Sequence, residues 1–533
     1  MTDPVQIVLG YHERTKHHPQ RYARSRGYLD WATQPDPFRR FDGAPQRLLD
    51  EVPISAAPAW DALFDAPTLP AQALDRENLS QFFYDALALS AWKEFGENRW
   101  SLRVNPSSGN LHPTEGYLLT GKIPGLIENP GLYHYGPYLH ALEQRRVWSD
   151  ESWAALQLPP DSFLVGLTSI SWREAWKYGE RAFRYCQHDV GHALGALAVS
   201  AAVLGWRTRI IENVADETLS ALLGVSGQEG PEAESPDVLI LVAPSGTAPE
   251  IPRERLLSLT SAALCGTPNV LSTAHHDWPI IDVVAEATTR DVAGAPAERP
   301  QEPPLPPVTR SRVLPARGII RQRRSAVSMD GHTSISRDAL LLMLRRVQPG
   351  ANRAVFGGLT WTPSVHLCLF VHRVDGLAPG LYCQVRDPEA LPALRAAMRR
   401  EFEWAPVEGN LFRLREADAR GAARMVSCHQ DIAADGAFAL GMVARFAPSL
   451  REHGAWFYRR LHWEAGVIGQ VLYLEAEAAG VRATGIGCFF DDAMHDILGL
   501  QDDTFQTLYH FTVGGPVEDP RLRTAPPYAH RST

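Results

Sequence analysis

The sequence predicts an α+β fold built from two tandem, related domains packed like the halves of a dimer. Three observations predict it. One segment occurs twice without a gap: Asp189-Val190-Gly191 opens a run through Gly205 to Leu222-Leu223-Gly224-Val225, and Glu464-Ala465-Gly466 opens its match through Gly480 to Ile497-Leu498-Gly499-Leu500. In that register Arg207 falls on Arg482, Asp216 on Asp491 and Gly224 on Gly499. Pro130-Gly131-Leu132-Tyr133 likewise recurs as Pro379-Gly380-Leu381-Tyr382. Between the copies stand Pro300, Pro303, Pro304, Pro306 and Pro307, the composition of a stiff, extended connector. A repeat of this length exceeds a solenoid unit and means two related domains in one chain.

The elements follow in order. Residues 1–60 carry turn chemistry and aromatic anchors (Tyr11, Tyr22, Tyr28, Trp31, Phe38, Phe41) without periodicity, which reads as an ordered arm on the first domain. A helix opened by Asn78-Leu79-Ser80 matches one opened by Ser334-Ile335-Ser336. Apolar runs at 117–119 and 367–371 suit strands and precede the two Pro-Gly-Leu-Tyr turns. Each long apolar helix is stopped by a glycine, and a short strand and an acidic-started helix ending in Leu-Gly come next. Each half therefore reads helix, strand, strand, long buried helix, strand, helix, strand, a central sheet covered by helices. The divisions fall at 1–60 for the arm, 61–260 for the first domain, 261–309 for the linker and 310–525 for the second domain.

Composition bounds the function. The chain has 533 residues, enough for each half to bury its own core. A net charge of -9 lacks the basic stripe of a nucleic-acid binder. The longest apolar stretch, 193–206, is too short to span a bilayer and reads as a buried helix. Around Glu13, Arg14 and Lys16 no apolar signal region is visible, so a cytoplasmic location is expected. The six cysteines (186, 265, 368, 383, 428 and 488) show no close pair or metal-type spacing, which reads as reduced thiols. His17-His18 and His275-His276 lack partners at metal-ligand spacing, so no metal is expected. There is no phosphate loop, no Gly-x-Ser-x-Gly elbow and no dinucleotide fingerprint.

Four motifs carry chemistry. Arg323-Arg324-Ser325 precedes Met329-Asp330 and resembles the opening motif of FMN-dependent nitroreductases. Pro106-Ser107-Ser108-Gly109-Asn110-Leu111-His112-Pro113-Thr114-Glu115 resembles the Pro-Ser-x-x-Asn element of that superfamily, in the form seen in SagB-type azoline dehydrogenases. The run 176–185, with its Lys177-Tyr178 pair, is similar to the same subfamily. Gly485-Ile486-Gly487 sits where nitroreductases lay backbone against the flavin ring. The resemblance implies two nitroreductase-like domains forming an intrachain pseudodimer, FMN as cofactor, and a chain that is a monomer in solution.

It also implies roles. A phosphate needs guanidinium forks, hydroxyls and backbone donors, which Arg323, Arg324 and Ser325 supply, and Arg521 and Arg523 would close the clamp. Pro106, Ser107, Ser108 and Asn110 would contact the flavin edge or ribityl chain. Lys177 and Tyr178 are the candidates for proton transfer; the plain alternative is that Lys177 snorkels and Tyr178 packs. Arg181 and Arg184 are candidates to hold an anionic group. These elements are split between the copies. The Arg-Arg-Ser position falls near Pro67-Thr68-Leu69 in the first half, and the Pro-Ser-Ser position near Val355-Phe356-Gly357 in the second. One competent site per chain follows, in an altered arrangement, because in the family both elements serve one flavin from one subunit.

Three functions fit. One is hydride transfer between FMN and a small organic substrate, such as dehydrogenation of a heterocycle in a natural product or modified peptide. The second is NAD(P)H-dependent nitro or quinone reduction. The third is a non-catalytic flavin- or peptide-binding scaffold.

Overall fold

Both halves of the computed structural model contain a seven-stranded antiparallel sheet; six strands follow the same order in the two sheets, and the outer strand at one edge differs, coming from the N-terminal arm in the first and from within the second domain in the second. The structure describes residues 3–64, 69–244, 251–291, 310, 312–350 and 352–531. The proline-rich stretch from Pro300 to Pro307, and Pro67 and Thr68, lie outside them. In the first domain the order is Gln46–Leu48, Ala141–Val147, Gly131–Gly136, Thr114–Thr120, Phe163–Ser169, Ser235–Ala243 and Arg207–Ile210. In the second it is Ala405–Glu408, Leu411–Glu416, Gly380–Gln384, Val365–Val371, Phe438–Arg445, Phe505–Gly514 and Arg482–Ile486. The recurrent Pro-Gly-Leu-Tyr segments enter equivalent strands. In each, the tyrosine hydroxyl donates to the carbonyl four residues back, Tyr133 to Asn129 at 3.1 Å and Tyr382 to Ala378 at 2.6 Å.

Each sheet has more strands than the expected order of elements contains. Ala141–Val147, Phe163–Ser169 and their counterparts were not anticipated. Residues 1–60 also differ from the expected arm: Pro4–Arg14 is a helix, capped by Asp3, whose side chain accepts from Val5 N. The arm straddles both domains rather than only the first. Tyr11 donates to Glu180 O, while His12 meets Tyr458 and Lys16 binds Asp492. Within the stretch read as linker, Pro279–Ala287 is a helix.

The two long helices, Ala182–Val203 and Phe457–Ala478, form the centre of the molecule. The first is buried at every position and the second at all but Glu477. Their C-terminal turns are mostly apolar, and the buried charges of their first turns, among them Arg184 and Arg459, are met by partners across the interface. The helices cross where Gly191 meets Gly466: a Cβ on either would lie 2.8 Å from the other's Cα. Those glycines are one residue of the repeat, so the crossing point lies on a pseudo-twofold axis. The C-terminus returns to the first domain, where Arg523–Ala525 pairs with Leu89–Phe95. Tyr528 then accepts from Leu89 N and donates to Pro137 O, each at 3.0 Å.

Candidate active site

A cavity of about 730 Å³ lies between the domains, and the motifs divided between the copies meet in it. Pro106, Ser107, Ser108, Gly109, Asn110, His112 and Tyr178 come from the first domain; Arg323, Arg324, Ser325 and the 485–487 segment come from the second. The volume falls within the range of about 300–1,000 Å³ usual for small-molecule sites. A wider concavity of about 1800 Å³ near Arg310, Gln384 and Asn410 contains none of the motif residues.

The cationic wall is built by the segment after the helix Ala316–Gln322. Arg323 is buried and donates to the carbonyls of Arg103 (2.8 Å) and Val104 (3.1 Å), tying the second domain to the hairpin Leu89–Phe95/Asn98–Arg103. Its Nε is buried and has no hydrogen-bond partner among the described residues. Arg324 bonds the carbonyls of Arg321, Arg323 and Ser90 through its guanidinium, and burial with Arg323 and Arg321 nearby pushes it down to about 10. Lys93 and Arg482 add two further cations that the motif reading did not include. Arg482 pairs with Glu518. Glu477 also lies beside Arg324 and Arg482, so Lys93, Arg323, Arg324 and Arg482 stand against Glu477 and Glu518, an excess of positive charge that suits a phosphate.

The adjoining strand, bonded to the 325–326 segment through Ala326 N and Ala483 O, needs small residues. A Cβ on Gly485 would lie 1.9 Å from the Tyr509 hydroxyl, and one on Gly487 would lie 2.4 Å from the Tyr185 ring. Tyr473 accepts from Gly485 N at 2.8 Å and shares a 2.9 Å hydrogen bond with Ser325 Oγ. Tyr185, His192, Tyr473 and Tyr509 therefore shape the cavity, although only Tyr185 lies in a motif.

The Pro-Ser-Ser-Gly-Asn loop turns on Gly109 and Asn110, both with positive φ (58° and 61°). Its polar groups mostly hold the loop itself. Ser107 Oγ accepts from His112 N at 2.8 Å, and Asn110 Nδ2 donates to Ser101 O at 2.9 Å. Ser108 donates through N and Oγ to Asp189 Oδ1, both at 3.1 Å. Lys177 and Tyr178, at the end of the helix Ser171–Tyr178, pack on this loop. A Cβ on Gly109 would lie 2.6 Å from the Tyr178 hydroxyl and 3.2 Å from Lys177 Nζ. Burial, with Glu174 and Tyr185 nearby, raises the Tyr178 phenol well above its usual value.

Behind the loop lie two buried carboxyl groups that the sequence did not single out. Burial and the neighbouring Asp189 push Glu174 well above the usual carboxylate range. Burial raises Asp189 to about 7, against hydrogen bonds from Ser107 and Ser108. The repeat supplies an internal comparison. Glu464 occupies the Asp189 position and also accepts backbone N–H groups, from Ser364 and Val365, but there it pairs with buried Arg386. In the first domain no arginine among the described residues pairs with the acid, and a second carboxyl stands beside it.

Several expectations are corrected. Arg521 and Arg523 do not line the cavity: Arg521 pairs with Asp519 at the surface, and Arg523 is exposed on its strand. Arg181 and Arg184 do not await an anion, because both bind Asp491 (3.0 and 2.8 Å) across the domain interface. The cysteines do form neighbours: Cys368 faces Cys383 across two strands, and the Sγ atoms of Cys428 and Cys488 lie 2.7 Å apart. Spacing could not reveal either pair, since folding brings them together. His18 groups with Glu13 and Asp492, the one such cluster among the described residues, but Lys16 Nζ binds both carboxylates at 2.8 and 2.9 Å and takes a cation's place.

The pseudo-twofold mate of the cavity is closed. In the repeat register Tyr473, Gly485 and His192 become Ala198, Ile210 and Val467. These three, with Leu194, Val355 and Gly358, leave a space of about 10 Å³.

The fold is that of a two-domain nitroreductase. The nitroreductase family model matches residues 380–515, within the second domain. The crystal structure of a putative nitroreductase from Anabaena variabilis has 23% sequence identity, covers 96% of this chain and 99% of its own, and superposes with a TM-score of 0.69. A putative nitroreductase from Ralstonia eutropha matches 43% of this chain and 97% of its own at 21% identity, with a TM-score of 0.29. The E. coli microcin synthetase McbBCD complex with truncated pro-MccB17 bound matches 43% of this chain and 79% of its own at 16% identity, also at 0.29. No curated protein matches the sequence. Among the described residues no helix is long and apolar enough to cross a membrane.

Proposed function

We propose that the chain is an FMN-dependent oxidoreductase with one active site per chain, acting on a small organic substrate. The observation that carries this reading is the interdomain cavity in which the two half-sets of motifs meet, while its symmetry mate is packed shut. When bound, the flavin supplies hydride transfer to or from the substrate. The chain's own residues supply the rest. Arg323, Arg324, Lys93 and Arg482 offer the charge to hold a phosphate. Gly485 and Gly487 let Tyr509 and Tyr185 pack close beside the backbone that lines the cavity. Pro106, Ser107, Ser108 and Asn110 form the facing loop.

Tyr178 and Lys177 are the groups for moving a proton at the substrate, and the Glu174–Asp189 pair behind the loop holds a proton near neutral pH. That proton machinery supports dehydrogenation or reduction of a small heterocycle, natural product or modified peptide over passive flavin storage. NAD(P)H is the second candidate electron donor. The deciding experiment is the visible spectrum of the FMN-reconstituted protein with flavin counted per chain. One flavin per chain, bleached by substrate or NAD(P)H, supports the proposal; no bound flavin overturns it.

A further inference from the structure

The pair Cys428–Cys488 stands apart from the chemistry above. Cys488 lines the interdomain cavity and is half-buried, as is Cys428. Cys428 follows the helix Arg420–Val426 in a turn where it and His429 both have positive φ (54° and 59°). Two successive non-glycine residues in that region are costly and persist only where their surroundings hold them. Here the surroundings are the segment that carries Cys488. Gln430 Nε2 donates to Ser427 O (2.9 Å) and Cys488 O (3.1 Å), and Phe490 N donates to Val426 O (2.8 Å). The strained turn is thus clamped on both sides of the facing thiol.

The chain supplies its own control. Cys368 and Cys383 also face each other, but they are fully buried in the central sheet, and mutual hydrogen bonding and burial raise the Cys368 thiol well above its usual value. Cys488 instead has its thiol lowered, first by the hydrogen bond from Cys428 and then, against burial, by the Arg181 guanidinium. A lowered, reachable thiol beside a second one is the arrangement for thiol–disulfide exchange. The repeat position equivalent to Cys488 is Asn213, so this feature belongs only to the half with the open cavity wall.

We propose that Cys488 and Cys428 form a thiol–disulfide exchange site whose substrates are small disulfides entering from the cavity. The Cys488 thiolate attacks one sulfur of R–S–S–R, forming a mixed disulfide and releasing the first R–S⁻. Cys428, losing its proton, then attacks the Cys488 sulfur and releases the second R–S⁻. The protein loses two electrons and two protons, and the small disulfide becomes two thiols. The product bond links the 427–430 turn to the wall beside Gly485 and Gly487. The site operates with or without a flavin, so its test is separate from that of the proposed oxidoreductase.

The experiment treats the reduced full-length protein with oxidised glutathione and follows intact mass and linked peptides. The wild type should lose two hydrogens and yield a Cys428–Cys488 peptide. Cys428→Ser should stop at one glutathionyl adduct on Cys488, formed at least about tenfold faster than any adduct on Cys265. Cys368→Ser should behave as wild type. Repeating the reaction in denaturant should erase the difference between Cys488 and Cys265, which ties the reactivity to the fold. Absence of the linked peptide in folded wild type, or equal rates at Cys488 and Cys265 in folded Cys428→Ser, would overturn the proposal.

Discussion

Arg184 Nη2 reaches across the domain interface to Asp491 Oδ1 at 2.8 Å, and the same contact occurs again with the domains exchanged, Arg459 Nη2 to Asp216 Oδ2 at 2.6 Å. The repeat register thus survives as a pair of reciprocal ion pairs about the Gly191–Gly466 crossing. The Asp491 end is the more buried. Against burial, Arg181 and Arg184 hold its carboxyl well below the usual range. Asp491→Asn removes one partner and leaves two buried guanidinium groups uncompensated. The expected loss is about 3–5 kcal/mol in denaturant unfolding. A loss below about 1 kcal/mol, the scale of a surface pair, would refute a structural role for the contact.

Arg324 and Arg521 should separate cleanly. Arg324 lines the cavity with only carbonyl partners for its guanidinium, whereas Arg521 is a surface residue paired with Asp519. Arg324→Ala should weaken FMN binding by about 10- to 100-fold, the worth of a charged hydrogen bond. Arg521→Ala and Arg523→Ala should leave it unchanged. Fluorescence titration of FMN into each apo-protein reads all three.

Asp189 should leave a mark on the pH dependence of stability. Its carboxyl is raised from 3.8 to about 7, so between those values the folded chain binds a proton that the unfolded chain does not. Stability therefore falls as pH rises through that window and levels off above it. Asp189→Asn removes this titration, and its Tm should fall less than that of wild type across the window. Parallel Tm curves for the two proteins would show that Asp189 titrates normally.

Ile210 takes the place of Gly485 in the closed half and helps fill it. Ile210→Ala should cost about 2–5 kcal/mol, as a cavity in a packed core does. The flavin count should stay at one per chain, because removing a few carbons beside a space of about 10 Å³ leaves far too little room for a flavin. A second flavin would show that the closed half retains a latent site.

How far the sequence was readable follows from where its regularities lie. The long helices, their glycine stops and the acidic helix starts stand at one constant offset, so the duplication was visible without a structure. The strand Ala141–Val147 was not, because Glu143, Arg145 and Arg146 interrupt its apolar pattern. They are buried nonetheless: Glu143 accepts from His134, and the two arginines donate to the carbonyls of Gly266 and Ala221. The site divided in the same way. Contiguous motifs announced one wall each, whereas Lys93, His192, Tyr473, Arg482 and Tyr509 come from five different elements with no common pattern, and the fold brings them together. The Glu174–Asp189 contact had no signal either, since the two carboxyls lie in successive helices with no spacing that marks them as a pair.

The side chains of Ala198, Ile210 and Val467 have a further consequence. When two identical chains associate, one codon determines both copies of every position, so a change that helps one cleft is imposed on its twin. Here the two halves have separate codons. Residue 210 was free to become large and greasy while residue 485 stayed bare. The two halves are therefore no longer replicas: one is filled where the other is hollow.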